Sequence, residues 1–128
     1  MKTIIFLLLL ISSCVGAQTS FSCYYREDCG WNEVNQKFDI CEGRDEHSLF
    51  YINEQETIIT HTTYEQKSAY YVDGKEYNDS KKLWMYEVTS DVGNKYIFAF
   101  DPRNAEVRCV FKKDEETFLV RFYVKAVF

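Results

Sequence analysis

Bulky and polar residues alternate along the chain on both sides of a turn-forming cluster. Residues 82–100 read KLWMYEVTSDVGNKYIFAF, and residues 90–94 (SDVGN) separate two arms that are rich in apolar side chains. An alternation with a period of two is typical of β-strands, so the stretch predicts a long β-hairpin. We expect one face of this hairpin to supply the middle of the core through Trp84, Tyr86, Val88, Tyr96, Phe98 and Phe100. The other face, with Met85, Thr89 and Ile97, is a candidate partner surface if it is uncovered.

Short strand-like segments also repeat from residue 37 to the end, roughly every dozen residues. Residues 37–42 and 48–53 are predicted as separate strands. Asp73-Gly74 predicts a second tight hairpin, since an Asp-Gly pair favours the positive φ angles of such turns. No apolar stripe with a period of 3.6 residues persists, so we expect no substantial helix.

The predicted fold is therefore all-β: a single small domain with an antiparallel meander of about 7–9 strands. It forms a small barrel or a curled sandwich stapled by disulfides. The barrel is favoured because successive hairpins pair neighbouring strands without Greek-key crossovers. The β domain is predicted to span residues 37–128, after an irregular cysteine-bearing segment at residues 18–36, which shows no clean period.

The N-terminal residues 1–17 have the organisation of a signal peptide. Lys2 precedes an unbroken apolar run at residues 4–11, and small residues stand at 15–17. We expect cleavage after Ala17 and a secreted or periplasmic protein. Residues 11–14 also resemble a lipobox, which leaves the alternative of a lipoprotein signal at residues 1–13 and a membrane anchor on Cys14. No second apolar run of this kind predicts a transmembrane segment.

Cysteine count and charge narrow the chemistry further. Cys23, Cys29, Cys41 and Cys109 predict two disulfides in an oxidising compartment, with the pairing left open. The spacing C-x₂-C is absent and the two histidines are far apart, so we expect neither a metal site nor a cofactor. Without Lys2, 14 basic residues face 20 acidic ones, a net charge of −6, which argues against nucleic acid as a partner.

Candidate functional residues are aromatic or basic rather than catalytic. The chain has 10 Tyr and 10 Phe, and tyrosine suits recognition because it combines apolar area with a polar tip. We expect binding at Tyr71, Tyr77, Tyr86 and Tyr96, or in a barrel mouth near His61. The partner would be a protein, a carbohydrate or a small amphipathic ligand. No residue set forms a catalytic motif.

Two resemblances bear on this prediction. The plan of successive hairpins resembles that of small secreted calycin-like barrels. Residues 90–96, SDVGNKY, are similar to the serine-rich hairpin of periplasmic lysozyme inhibitors, which are small disulfide-bearing barrels. This second resemblance covers seven residues and assigns no functional role to any residue of this chain.

The function expected from the sequence is an exported, non-enzymatic binding or interaction module with a tyrosine-rich β surface. The alternatives are a small secreted hydrolase that uses His61 with a loop carboxylate, and an envelope-associated structural protein without a specific ligand.

Overall fold

The computed structural model describes residues 19–128, which form eight antiparallel strands closed into one barrel. Each strand pairs with the next along the chain, and β8 pairs with β1 to complete the barrel. The predicted all-β meander and its closure as a barrel are confirmed. The described residues contain no helix that could cross a membrane. The strands are β1 (Thr19–Asn32), β2 (Lys37–Ile52), β3 (Ile58–Thr63), β4 (Lys67–Asn78), β5 (Leu83–Ser90), β6 (Lys95–Asp101), β7 (Glu106–Lys113) and β8 (Glu116–Val127).

The N-terminal segment is the first correction to the sequence-based prediction. Residues 18–36 were expected to be irregular, but Thr19–Asn32 is a strand of 14 residues between β2 and β8. Register shifts between Cys23 and Tyr25 and between Gly30 and Trp31 explain the difference, because a bulge interrupts the period of two. The predicted signal peptide and the lipidation of Cys14 lie outside the described residues and stay predictions.

Two breaks that the sequence predicts between strands lie inside strands. Residues 37–42 and 48–52 belong to the single strand β2, which ends one residue before the predicted second segment does, and Gly43 within it pairs with Glu27 of β1. A Cβ atom on Gly43 would collide with the hydroxyl oxygen of Tyr25, so glycine makes room for a ring that crosses the neighbouring strand. The prediction of a tight hairpin at Asp73-Gly74 is also wrong. Neither residue has the positive φ that such a turn requires, and β4 continues through them with a bulge.

Aromatic residues fill the middle of the barrel. The centre is Phe50, which is 0% exposed and lies within ring-contact distance of Phe98, Phe100 and Phe122. The predicted inward face of the central hairpin is confirmed for the four buried residues Tyr86, Val88, Phe98 and Phe100. Tyr96 is half-buried against this core. Trp84 was wrongly expected to be buried in the core. It is 45% exposed, because it is the second residue of β5 and lies next to the turn that precedes this strand.

One end of the barrel is closed by polar contacts. This closed end carries the turn between β2 and β3, where the Glu56 carboxylate accepts hydrogen bonds from the Tyr86 hydroxyl (2.8 Å) and from Lys75 Nζ (2.9 Å). Lys75 Nζ also lies 4.3 Å from the ring centroid of Trp84. These contacts join β4 and β5 to the β2–β3 turn. The opposite end, which we call the mouth, carries the turn of residues 64–66 between β3 and β4.

The four cysteines within residues 19–128 form one disulfide rather than two. Cys29 and Cys41 are direct cross-strand partners on β1 and β2 and are bonded. Cys23 and Cys109 are buried free thiols, which corrects the prediction of a second bond. Cys23 lies on β1 and Cys109 on β7, with β8 between them. Strands two positions apart are separated by about 10 Å, beyond the reach of a disulfide.

Candidate functional site

The predicted binding residues divide between the mouth and the rest of the barrel. His61 and Tyr96 both line a cavity of about 160 Å³ inside the barrel, which we call the inner cavity. Tyr86 belongs to the core, while Tyr71 and Tyr77 are 50% and 42% exposed and do not line it. The tyrosines are thus dispersed, and they do not assemble one tyrosine-rich surface.

The inner cavity has mostly aromatic walls. Tyr70 meets the rings of Tyr96 and Phe98 edge to face, with centroids 5.4 and 5.0 Å apart. Burial raises the pKa of the Tyr70 hydroxyl to about 12, so this group is uncharged at physiological pH. The lining residues are Arg26, Phe50, His61, Tyr70, Tyr96, Phe98, Cys109, Phe111, Val120 and Phe122.

His61 is held in this cavity by register and by stacking. On β3 it is the cross-strand partner of Phe50 on β2, and the two rings stack with centroids 4.1 Å apart and an angle of 5°. Burial, together with the smaller effect of the nearby Arg26 charge, lowers the pKa of His61 to about 4. The imidazole is therefore neutral near pH 7. Its Nε2 atom is buried and has no hydrogen-bond partner among residues 19–128.

Arg26 is the charged residue of the inner cavity, and the sequence reasoning missed it. Its Nη2 lies 2.9 Å from Asp28 Oδ1, and its Nη1 lies 3.6 Å from Glu46 Oε1. The guanidinium also lies 5.5 Å from the ring centroid of Phe122. Two carboxylates thus offset its charge. In the sequence, Arg26 is recognisable only as a basic residue between Cys23 and Cys29. The bulge after Cys23 interrupts the alternation, so the sequence does not show that the Arg26 side chain lies on the inner face of β1.

A second, more polar cavity adjoins the inner one. This outer chamber has a volume of about 320 Å³ and shares Arg26, His61 and Tyr70 with the inner cavity. The other residues that line the outer chamber are Arg44, Glu46, Thr63, Glu65, Gln66 and Ser68. Together the two cavities form a site with an aromatic inner part and a polar outer part.

Glu46 contributes a buried carboxylate oxygen to the outer chamber. Its Oε2 is 3.4 Å from Arg44 Nη2, and its Oε1 is ion-paired with Arg26 Nη1 at 3.6 Å, too far for a hydrogen bond. His61 Nε2, in contrast, has no hydrogen-bond partner in the described part of the chain, and leaving a buried polar atom unpaired costs about 1–3 kcal/mol. A hydrogen-bonding group that reached Nε2 from the mouth would relieve this cost.

Three larger depressions occur in the described part of the chain, with volumes of about 590, 780 and 830 Å³. The depression of 830 Å³ shares Tyr96 and Phe111 with the inner cavity. Met85 and Ile97, from the second face of the central hairpin, line the depression of 780 Å³, and Ile97 is exposed. Within residues 19–128, none of the three is lined by a residue with a buried polar side-chain atom that lacks a hydrogen-bond partner. We therefore place the candidate site in the mouth, despite its smaller volume.

One group of metal-type ligands occurs in the described part of the chain, at Glu27, Cys29 and Cys41. The two sulfur atoms are bonded to each other, and the Glu27 carboxylate accepts a hydrogen bond from Arg121. This group is therefore already engaged in contacts within the protein.

No family model, curated protein or solved structure matches the chain. The function must therefore be argued from the mouth itself. Its geometry combines a cavity with aromatic walls, an uncharged imidazole and a carboxylate that can accept hydrogen bonds. Such a combination suits reversible binding of a small molecule that is apolar at one end and polar at the other.

Proposed function

We propose that the protein is an exported, non-enzymatic binding module that holds a small amphipathic ligand in the mouth of its barrel. The observation that carries the proposal is the buried His61 Nε2, which has no hydrogen-bond partner among the described residues and belongs to a residue that lines two adjoining cavities. The aromatic inner cavity would take the apolar part of the ligand, and the outer chamber would take its polar part. The Cys29–Cys41 disulfide supports export, because such bonds persist mainly in oxidising compartments.

The hydrolase alternative has weaker support. A general base works best with a pKa near the operating pH, whereas the pKa of His61 is lowered to about 4. The charged group that perturbs it is Arg26 rather than a carboxylate, and Nε2 has no carboxylate partner among the described residues. A purely structural barrel is also less well supported, because it would gain nothing from an unpaired His61 Nε2 beside an internal cavity.

The proposal is tested by blocking the mouth. A set of small amphipathic compounds is screened by NMR for those that shift the signals of His61, Tyr70 and Tyr96. The variant Ser68→Trp places an indole in the outer chamber, which Ser68 lines. Its matched control is Lys67→Trp, one residue earlier on β4 at an exposed position outside that lining.

We expect compounds that shift the three mouth signals to lose at least tenfold in affinity with Ser68→Trp and to bind Lys67→Trp as they bind the unmodified protein. The proposal fails if no compound in the set shifts these signals. It also fails if Ser68→Trp, shown to be folded by its NMR spectrum, binds the same compounds equally well.

A further inference from the structure

We infer that the inner cavity accepts an uncharged aromatic ring bearing a hydroxyl group, as in a phenol, with the hydroxyl hydrogen-bonded to His61 Nε2. This inference rests on the proposed function and specifies the chemistry of its ligand. It follows from the size of the inner cavity, from its walls and from the charges around it.

The size of the inner cavity fits one ring. Its volume is about 160 Å³, and an apolar protein cavity of about 150 Å³ binds benzene. A fused polycyclic ligand would need to extend into the outer chamber, where the lining is polar and charged. A single ring, in contrast, is contained within the aromatic part of the mouth.

The walls of the inner cavity favour an aromatic ring over an aliphatic one. Tyr70 already meets the rings of Tyr96 and Phe98 edge to face, and Tyr96 has a second such contact with Phe111 at 5.4 Å. A flat ring placed among them gains further contacts of this kind, which stabilise aromatic pairs beyond the effect of the buried area alone. An aliphatic ligand of equal volume lacks the ring quadrupole and gains only the buried area.

The unpaired Nε2 atom selects the hydroxyl group. A neutral imidazole carries its proton on one nitrogen, so Nε2 is either a donor or an acceptor. A hydroxyl satisfies both cases, because it donates one hydrogen bond and accepts others. A ligand without a polar group would leave Nε2 buried and unpaired.

The charges around the inner cavity favour a neutral ligand. Among the described residues that line it, only Arg26 is ionised, and Asp28 and Glu46 already offset its charge. Tyr70, His61 and the buried Cys109 thiol are uncharged near pH 7, as their burial dictates. A carboxylate or an ammonium group bound there would lose its hydration without an unpaired countercharge. The hydroxyl is thus preferred to either ion.

The test is a cycle of two ligands and two proteins. Phenol and toluene have rings of the same shape and differ in the hydroxyl, and their dissociation constants are measured by NMR titration. The variant His61→Phe keeps a ring stacked on Phe50 and removes the nitrogen. Its control is His47→Phe, which makes the same substitution at the other histidine, an exposed residue of β2. Comparing the ratio of the two constants between proteins cancels the different hydration of the two ligands.

We expect the preference for phenol over toluene to fall by about fivefold in His61→Phe, as the loss of one net hydrogen bond implies, and to be unchanged in His47→Phe. If His61→Phe does not fold, His61→Leu removes the same nitrogen and is used in its place.

An unchanged ratio in a folded His61 variant overturns the inference, as does failure of phenol to bind the unmodified protein. In both cases the proposed function survives if other amphipathic compounds still shift the His61, Tyr70 and Tyr96 signals. If none does, the proposed function and the inference fail together.

Discussion

Truncation of Phe50 probes the packing on which both the barrel and its mouth depend. Phe50 is fully buried in β2 and connects the core to the inner cavity, because one face of its ring stacks on His61. Its other aromatic neighbours are Phe98, Phe100 and Phe122, at centroid distances of 5.8, 6.0 and 4.8 Å. The substitution Phe50→Ala removes these contacts and leaves a void next to a cavity that already exists.

The expected loss in the free energy of unfolding is large. Replacing a buried Phe by Ala costs about 3–5 kcal/mol through lost burial and cavity formation. We expect the upper half of this range, because rings held on several sides by other rings relax little into the void. A domain of this size has a total stability of about 5–15 kcal/mol, so the variant is expected to be marginal. The corresponding drop in the melting temperature is about 12–20 °C.

Chemical denaturation with guanidinium chloride, followed by tyrosine and tryptophan fluorescence, measures this loss. The matched control is Tyr64→Ala, since Tyr64 is 100% exposed in the turn at the mouth. We expect it to change stability by less than about 0.5 kcal/mol. A loss below about 1 kcal/mol in Phe50→Ala would refute the packing described for the barrel interior.

Two further predictions concern the disulfide and pH. The double variant Cys29→Ala/Cys41→Ala removes a disulfide that spans a sequence separation of 12. We expect the free energy of unfolding, measured by urea denaturation, to fall by about 3 kcal/mol. A change under about 1 kcal/mol would show that the bond does not constrain the unfolded chain. The pKa of His61 is lowered from 6.5 to about 4 in the folded state, so between these pH values the unfolded chain binds a proton that the folded chain does not. As the pH is lowered from 7 to 4, the free energy of unfolding should therefore fall by roughly 3 kcal/mol more in the unmodified protein than in His61→Phe. The same dependence of stability on pH in both proteins would contradict the burial of His61.

The architecture was predictable where the period of two was undisturbed. Tyr86 and Val88 on β5, and Phe98 and Phe100 on β6, alternate without a bulge, so their inward direction follows from the sequence. Trp84 follows the same alternation but stands at the end of its strand, where an inward direction does not bring burial. Alternation therefore predicts on which face of the sheet a side chain lies. How deeply it is buried depends on where the neighbouring turns lie.

The bulges account for what the sequence did not predict. The register shift after Cys23 disrupts the pattern of β1, which hid both the strand and the inward position of Arg26. The bulge at Asp73 uses the same residue types as a tight turn, and the choice between them depends on the pairing of β4 with β5 along its whole length. Local turn chemistry alone was therefore misleading at this position.

The candidate site was found only in part. His61 was selected as one of two histidines, and its place in the mouth follows from its pairing with Phe50, which only the register of β2 and β3 determines. Cys23 and Cys109 show the same limit. An even cysteine count predicted two bonds, but the order of the strands around the barrel separates these two residues.

The nitrogen signals of the imidazole rings test directly whether the mouth binds a ligand through His61. Long-range ¹H–¹⁵N NMR spectra of the protein with and without phenol report on both histidines, and the exposed His47 serves as an internal control. We expect the Nε2 signal of His61 to shift in a saturable manner while the signals of His47 do not move. A His61 Nε2 signal that stays unchanged at millimolar phenol, or that moves in parallel with His47, would contradict this expectation.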